Sequence, residues 1–165
     1  MTIRPPPCGQ TMDELTVTIL GQPVPKGRPR MARTGHTYTP LKTRSWESVI
    51  QSAVVEARFQ GDYFLPFAGP VSVRVTAYFE IPVSWPAWKR KAALGGSLRH
   101  TGTPDLDNIL KLVMDAVNGS GTWADDSYVV GLSATKNYSA TPRTEITITR
   151  AAGIPSQTTS RESSK

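Results

Sequence analysis

Five of the thirteen acidic residues in this 165-residue chain fall within 22 positions. Asp105 and Asp107 lie in Pro104-Asp105-Leu106-Asp107-Asn108-Ile109-Leu110-Lys111, and Asp115 and Asp125-Asp126 follow. Carboxylates held near one another repel and are costly to desolvate, so such a cluster points to a bound cation or a shared proton. Hard divalent ions such as Mg²⁺ take oxygen ligands, often from one or two carboxylates, and keep waters that a substrate can replace. Lys111 follows Asp107 by one helical turn. There it can form an i,i+4 ion pair, or neutralise charge on a phosphate or transition state. The surrounding chain is basic, with a net charge of +6 from 19 Lys and Arg against 13 Asp and Glu. An acidic island in a positive protein suggests metal-assisted chemistry on a polyanion.

A helix over 106–117 would sort these groups. Leu106, Ile109, Leu110, Val113, Met114 and Val117 gather on one side. Asp107, Asn108, Lys111, Asp115 and Asn118 fall within an arc of roughly 100° on the other. Asp105 and Asp107 also suit a helix start, where free N–H groups and the helix dipole favour negative charge. Adjacent acids in a turn, as at Asp125-Asp126, are commonly just solvated. Capping and solvation therefore stay open beside the metal reading. A 12-residue helix is roughly 18 Å long, so a single site requires the loop 118–124 to bring Asp126 back to Asp105 and Asp107.

The other elements form the frame. Leu15 to Leu20 reads as a strand, followed by the Pro/Gly-punctuated basic loop Gly21 to Arg30. Thr39-Pro40 suits a helix start. Trp46, Val49, Ile50, Ala53, Val54 and Ala57 then recur at helical spacing until Gly61 and Pro66. Val71, Val73, Val75, Ala77, Phe79 and Ile81 alternate with polar neighbours, the clearest strand signal in the chain. A short helix is expected around Trp88 to Leu94, and strands over 127–133 and 144–149. The fold class is α/β (α+β), a mixed β-sheet packed by two main helices in a single domain. The expected boundaries are a flexible leader at 1–14, a domain at 15–150 and a disordered, Ser/Thr-rich tail at 151–165.

The charge excess belongs to the middle of the chain, because the two tails carry three bases and three acids between them. That balance favours nucleic acid or another polyanion. Lys26, Arg28, Arg30 and Arg33 share one loop, and Lys89, Arg90, Lys91 and Arg99 precede the acidic motif. All eight are candidate DNA contacts, reading phosphates without regard to sequence. Trp85 and Trp88 either stack on unpaired bases or pack on the sheet or a subunit interface. His36 and His100 are expected at the surface or on phosphates, not as metal ligands. Cys8 is the single cysteine, so no internal disulfide and no Cys-based zinc site can form. No long apolar run marks a signal or a membrane span, and a reducing cytoplasmic setting is expected.

At the acidic residues the chain resembles the RusA family of Holliday-junction resolvases. The shared pattern is Asp105-Leu106-Asp107-Asn108, Lys111, Asp115-Ala116, a Trp before Asp125-Asp126, and Val129-Val130, covering about 104–132 tightly. Pro25 to Arg30, Tyr38-Thr39-Pro40 and Lys136 look like one branch of the family. The resemblance implies a RusA-like fold and a homodimeric endonuclease, bacterial or phage-encoded. It would act on four-way junction DNA in recombination and repair, placing symmetric nicks in opposing strands. It would use Mg²⁺, with Mn²⁺ as a substitute. The family's three essential acids fall on Asp105, Asp107 and Asp126, as catalytic and metal-binding residues, and its important lysine on Lys111. Asp115 and Asp125 match acidic positions.

Two other readings compete. One is a non-catalytic, structure-selective DNA-binding protein whose acids are caps and solvated turns. The other is a Mg²⁺-dependent phosphohydrolase of small nucleotides, which the extended basic loops disfavour.

Overall fold

The computed structural model describes residues 14–27, 30–31, 37–38, 40–61, 66–67 and 69–151. The expected leader and tail, Arg28, Arg33, His36 and Thr39 lie outside the described residues, apart from Glu14 and Ala151. Of Arg30 only the backbone is described.

Among the described residues, six strands and three α-helices follow in the order β1 (Glu14–Leu20), β2 (Arg30–Met31), β3 (Thr37–Tyr38), α1 (Leu41–Gln60), β4 (Val71–Glu80), α2 (Ala87–Leu94), α3 (Leu106–Gly119), β5 (Val129–Ser139) and β6 (Arg143–Arg150). The main sheet has the order β1-β6-β4-β5. β6 pairs antiparallel with both β1 and β4, while β4 and β5 are parallel. Parallel neighbours need a long crossover, and the segment carrying α2 and α3 supplies it. This is the mixed sheet expected from the sequence.

Alternation in β4 sets the two faces. Val71, Val73, Val75, Ala77 and Phe79 are buried. Val73 stands opposite Ile148 and Val75 opposite Ile146 of β6, which in turn faces Leu15 and Val17 of β1. This apolar face is covered by Ile50 and Val54 of α1 and by Leu112, Val113, Ala116 and Val117 of α3. Full burial of one such aliphatic side chain contributes about 1.5–3 kcal/mol. The opposite face carries Ser72, Arg74, Thr147 and Thr149, which line a hollow of about 500 Å³ with Glu14 and Ser133.

The structure moves several boundaries. β5 runs to Ser139, six residues past its expected end, because Lys136 and Tyr138 continue a ladder with Ala77 and Phe79. A single 3-10 turn, Asp126–Tyr128, occupies what reads as its first residues. Pro40 sits at the cap of α1, ahead of its first turn. The basic loop contains the two-residue strands β2 and β3, too short to leave a periodic signal. Gly27 is dictated by close approach: a Cβ there would meet Thr43 Oγ1 at 2.8 Å and Pro40 Cγ at 3.0 Å. The Gly27 N–H donates to that same hydroxyl at 3.1 Å.

Candidate active site

α3 is the platform. Its inner face buries Ile109, Leu112, Val113, Ala116 and Val117, and Asp107, Lys111, Asp115 and Asn118 are exposed on the outer one. The periodicity placed these groups correctly, apart from Leu112, which is fully buried and stands outside the expected apolar set. α3 has no basic residue in its last turn, and α1 answers its free carbonyls from outside. Gln51 donates to Gly119 O, and Arg58 Nη1 donates to Ser120 O at 3.2 Å and Gly121 O at 3.0 Å. Cationic donors at a helix C-terminus also complement its dipole.

At the opposite end, Asp105 occupies the cap position, yet its side chain makes no capping hydrogen bond. Its carboxylate is exposed and engaged with no group among the described residues. Asp107 accepts from Lys111 Nζ at 3.2 Å. That hydrogen bond, reinforced by the lysine's charge, holds the Asp107 carboxyl below its usual range. Asp115 is occupied differently, in an ion pair with Lys26, which also lies 3.6 Å from Glu47. Lys26 is thus a clamp between its loop, α1 and α3, and its N–H donates to Asn108 O at 2.8 Å.

Lys136 is the residue whose role sequence reasoning missed. From β5 its ammonium donates to Gly102 O at 2.7 Å and Pro104 O at 2.9 Å, fixing the loop that delivers Asp105. Only the extended β5 reveals this reach. His100 is likewise not a plain surface residue. It stacks on Phe79 with ring centroids 3.9 Å apart and lies 5.1 Å from Tyr138. Burial, and then the charge of Lys136, push its pKa below the ordinary histidine value. Trp85 packs edge-on against Tyr138 and carries Lys89 over its ring at 4.0 Å. Arg99 donates to Asn137 Oδ1. Trp88 is 72% exposed, and Arg90 and Lys91 are exposed beside it. The basic and aromatic groups of α2 therefore share one end of β4 and β5 with Asp105, Asp107 and Lys111.

Asp126 is at the other end. It opens the 3-10 turn before β5 and is exposed, while Asp125 spends its carboxylate on the Ser127 N–H at 2.8 Å. Contacts with Ser127 lower the pKa of Asp125. The return of the loop to the helix start, which a site within one chain would require, does not occur. Lys136, which holds Pro104, is seven positions along β5 from Val129. At about 3.3 Å per residue that is on the order of 20 Å. Core packing agrees: Ile109 near the start of α3 clusters with Ala77 and Phe79 late in β4, whereas Val113, Ala116 and Val117 further along join the core that holds Val71, Val73 and Val75. α3 thus runs antiparallel to β5 and carries Asp105 away from Asp126. Among the described residues no three His, Cys, Asp or Glu side chains stand close enough to share a metal ion. Asp105, Asp107 and Asp126 of one chain do not build a three-carboxylate cage.

The family model for Endodeoxyribonuclease RusA matches residues 21–149. The chain belongs to the RusA endodeoxyribonuclease family. It is also 38% identical over 142 residues to the uncharacterized protein YqaN of Bacillus subtilis (strain 168), covering 83% of this chain and 96% of that protein. The RusA match spans the sheet from the loop after β1 to the end of β6, so Asp105, Asp107, Lys111 and Asp126 all lie within it. Among the described residues, no helix is long and apolar enough to cross a membrane.

Proposed function

We propose that this RusA-family chain is a structure-selective endodeoxyribonuclease that resolves four-way (Holliday) DNA junctions in recombination and repair. It would do so by paired nicks in opposing strands. The observation that carries the reading is the start of α3. There the exposed Asp105 and Asp107 stand with Lys111 in a family of endodeoxyribonucleases, beside a basic, tryptophan-bearing helix. Lys89, Arg90, Lys91 and Arg99 would meet backbone phosphates, and such contacts weaken as salt rises. Lys111 would offset charge building on the phosphate.

Mg²⁺, or Mn²⁺ in its place, belongs to the proposal on the chemistry of the acids. Asp105, Asp107 and Asp126 of one subunit do not fit a single ion. A homodimer belongs to it as well, because a four-way junction needs two related cuts and a two-fold protein matches that symmetry.

The test compares labelled four-way, forked and linear DNA with the purified full chain in Mg²⁺ or Mn²⁺. Symmetric nicks confined to the four-way substrate are expected. Asp107→Asn should keep junction binding while losing cleavage. A band shift without products in either ion would turn the assignment to a binding protein. Competition by free nucleotides but not by DNA would turn it to a small-molecule phosphohydrolase.

A further inference from the structure

Resting on the nuclease reading, we infer that Trp88 is a specificity-determining residue: its indole stacks on a base left unpaired at the crossover of the junction, with Arg90 and Lys91 on the flanking phosphates.

The two tryptophans of this segment divide the roles that the sequence left open. Trp85 is spent on the protein. It meets Tyr138 edge-on with ring centroids 5.1 Å apart, and Lys89 Nζ lies over its ring at 4.0 Å. Trp88 is 72% exposed, and its side chain makes no hydrogen bond or ring contact among the described residues. Its apolar ring and its N–H are both left for a partner, the combination that enriches tryptophan at interfaces.

The platform beneath it is stiff. Pro82 and Pro86 fix the backbone on either side of Trp85, whose N–H closes a turn on Pro82 O at 3.1 Å. Pro86 O accepts from Lys89 and Arg90 in the first turn of α2, and Ala92 O accepts from Ser97 and Leu98 beyond its last. Ala93 is buried beneath the helix. A ring held on a preformed element loses little freedom when a base arrives.

The surroundings decide the partner. From Ile81 to Pro104 there is no acid, while Lys89, Arg90, Lys91 and Arg99 carry four positive charges. Lys91 lies one helical turn from Trp88, and it and Arg90 are exposed. An aromatic ring in a field of one sign fits a partner that is aromatic and anionic at once, which is a nucleotide strand and not an apolar protein surface. Stacking tolerates any base, because every base has a π-face. The interior of a duplex offers no free face, and freeing one costs least where a base is already unpaired. A crossover supplies such bases, and a linear duplex does not. Position agrees with the chemistry. Trp85 anchors α2 at Tyr138, two positions along β5 from Lys136, which holds Pro104 beside Asp105. That is about 7 Å along the strand, roughly two base steps of DNA.

Two measurements decide it, both made without divalent ions so that no cleavage is needed. Trp88→Leu keeps apolar bulk and removes the ring. It should lose about 5- to 150-fold in affinity for four-way DNA and change little on linear duplex, whereas Trp88→Phe should keep most of the affinity. In the second, the wild type is irradiated with four-way DNA carrying 5-iodouracil at the crossover. A covalent adduct at Trp88 is expected by mass spectrometry, and none with the same base placed mid-arm. Trp88→Leu binding four-way DNA as the wild type does, an equal loss on both substrates, or no adduct at Trp88 overturns the proposal. A wild type that cross-links at Trp88 yet never cuts in Mg²⁺ or Mn²⁺ removes the nuclease reading and keeps the stacking contact. A wild type that cuts four-way DNA while Trp88→Leu binds it undiminished does the reverse.

Discussion

Lys136→Met isolates what holds the acidic loop in place. The substitution keeps an unbranched stem on β5 and removes the ammonium that donates to Gly102 O and Pro104 O. A hydrogen bond from a charged donor contributes about 1.5–3 kcal/mol when its partner is left unpaired. Gly102 is exposed and Pro104 only half-buried, so water replaces part of the loss, and about 2 kcal/mol in total is the expected cost. For a domain of this size that corresponds to a fall in Tm of roughly 4–8 °C. A second readout is local. Burial lowers the His100 pKa first and the charge of Lys136 adds to it, so removing that charge should raise it toward, but not to, the ordinary value of 6.5. A histidine with a lowered folded pKa binds fewer protons than the unfolded chain does. It therefore costs stability as pH falls from the ordinary histidine range toward the folded value. The variant should lose less stability across that window. Thermal unfolding and an imidazole NMR titration, assigned with His100→Gln, measure both effects. A Tm within about 1 °C of wild type, with His100 titrating unchanged, would refute the reasoning.

Lys111→Met should let the Asp107 pKa rise toward the ordinary carboxylate range, read by carboxyl NMR, because the largest lowering cause is removed while the backbone hydrogen bonds remain. The pair's contribution is present above the unfolded Asp pKa and lost as pH falls through the lowered folded one, so acid unfolding should shift slightly to higher pH. Leu112→Ala, at a fully buried position, should cost about 2–5 kcal/mol in denaturant unfolding, whereas a cost below about 1 kcal/mol would contradict its place in the core. Trp88→Ala should leave Tm within about 2 °C of wild type, because a side chain that is 72% exposed holds little of the core. A weaker affinity for four-way DNA than for linear duplex would mark it as a junction contact, and equal affinity for both would remove it from that role.

Periodicity reached far in this chain. The alternation Val71-Val73-Val75 and the spacing Ile109-Val113-Val117 follow from how strands and helices present side chains, so the central strand and the face of α3 were legible. The clustering of Asp105, Asp107 and Lys111 at one helix start was legible for the same reason. The tail of β5 was not, because Lys136, Asn137 and Tyr138 mix charge and aromaticity at an edge where two-residue alternation breaks down. The role of Lys26 was hidden too: a basic residue in a basic loop looks like a phosphate contact until Asp115 and Glu47 are seen beside it.

The one-dimensional pattern thus fixed which residues could do chemistry and which face of α3 would carry them, because those follow from local geometry. It could not say which acids meet. That depends on the direction in which α3 lies across a parallel β4–β5 pair, marked by Ile109 clustering with Ala77 and Phe79 while Val117 joins the core that holds Val71 and Val73. A crossover helix must run back against its strands before the next can start parallel, and this places Asp126 at the far end of the helix from Asp105.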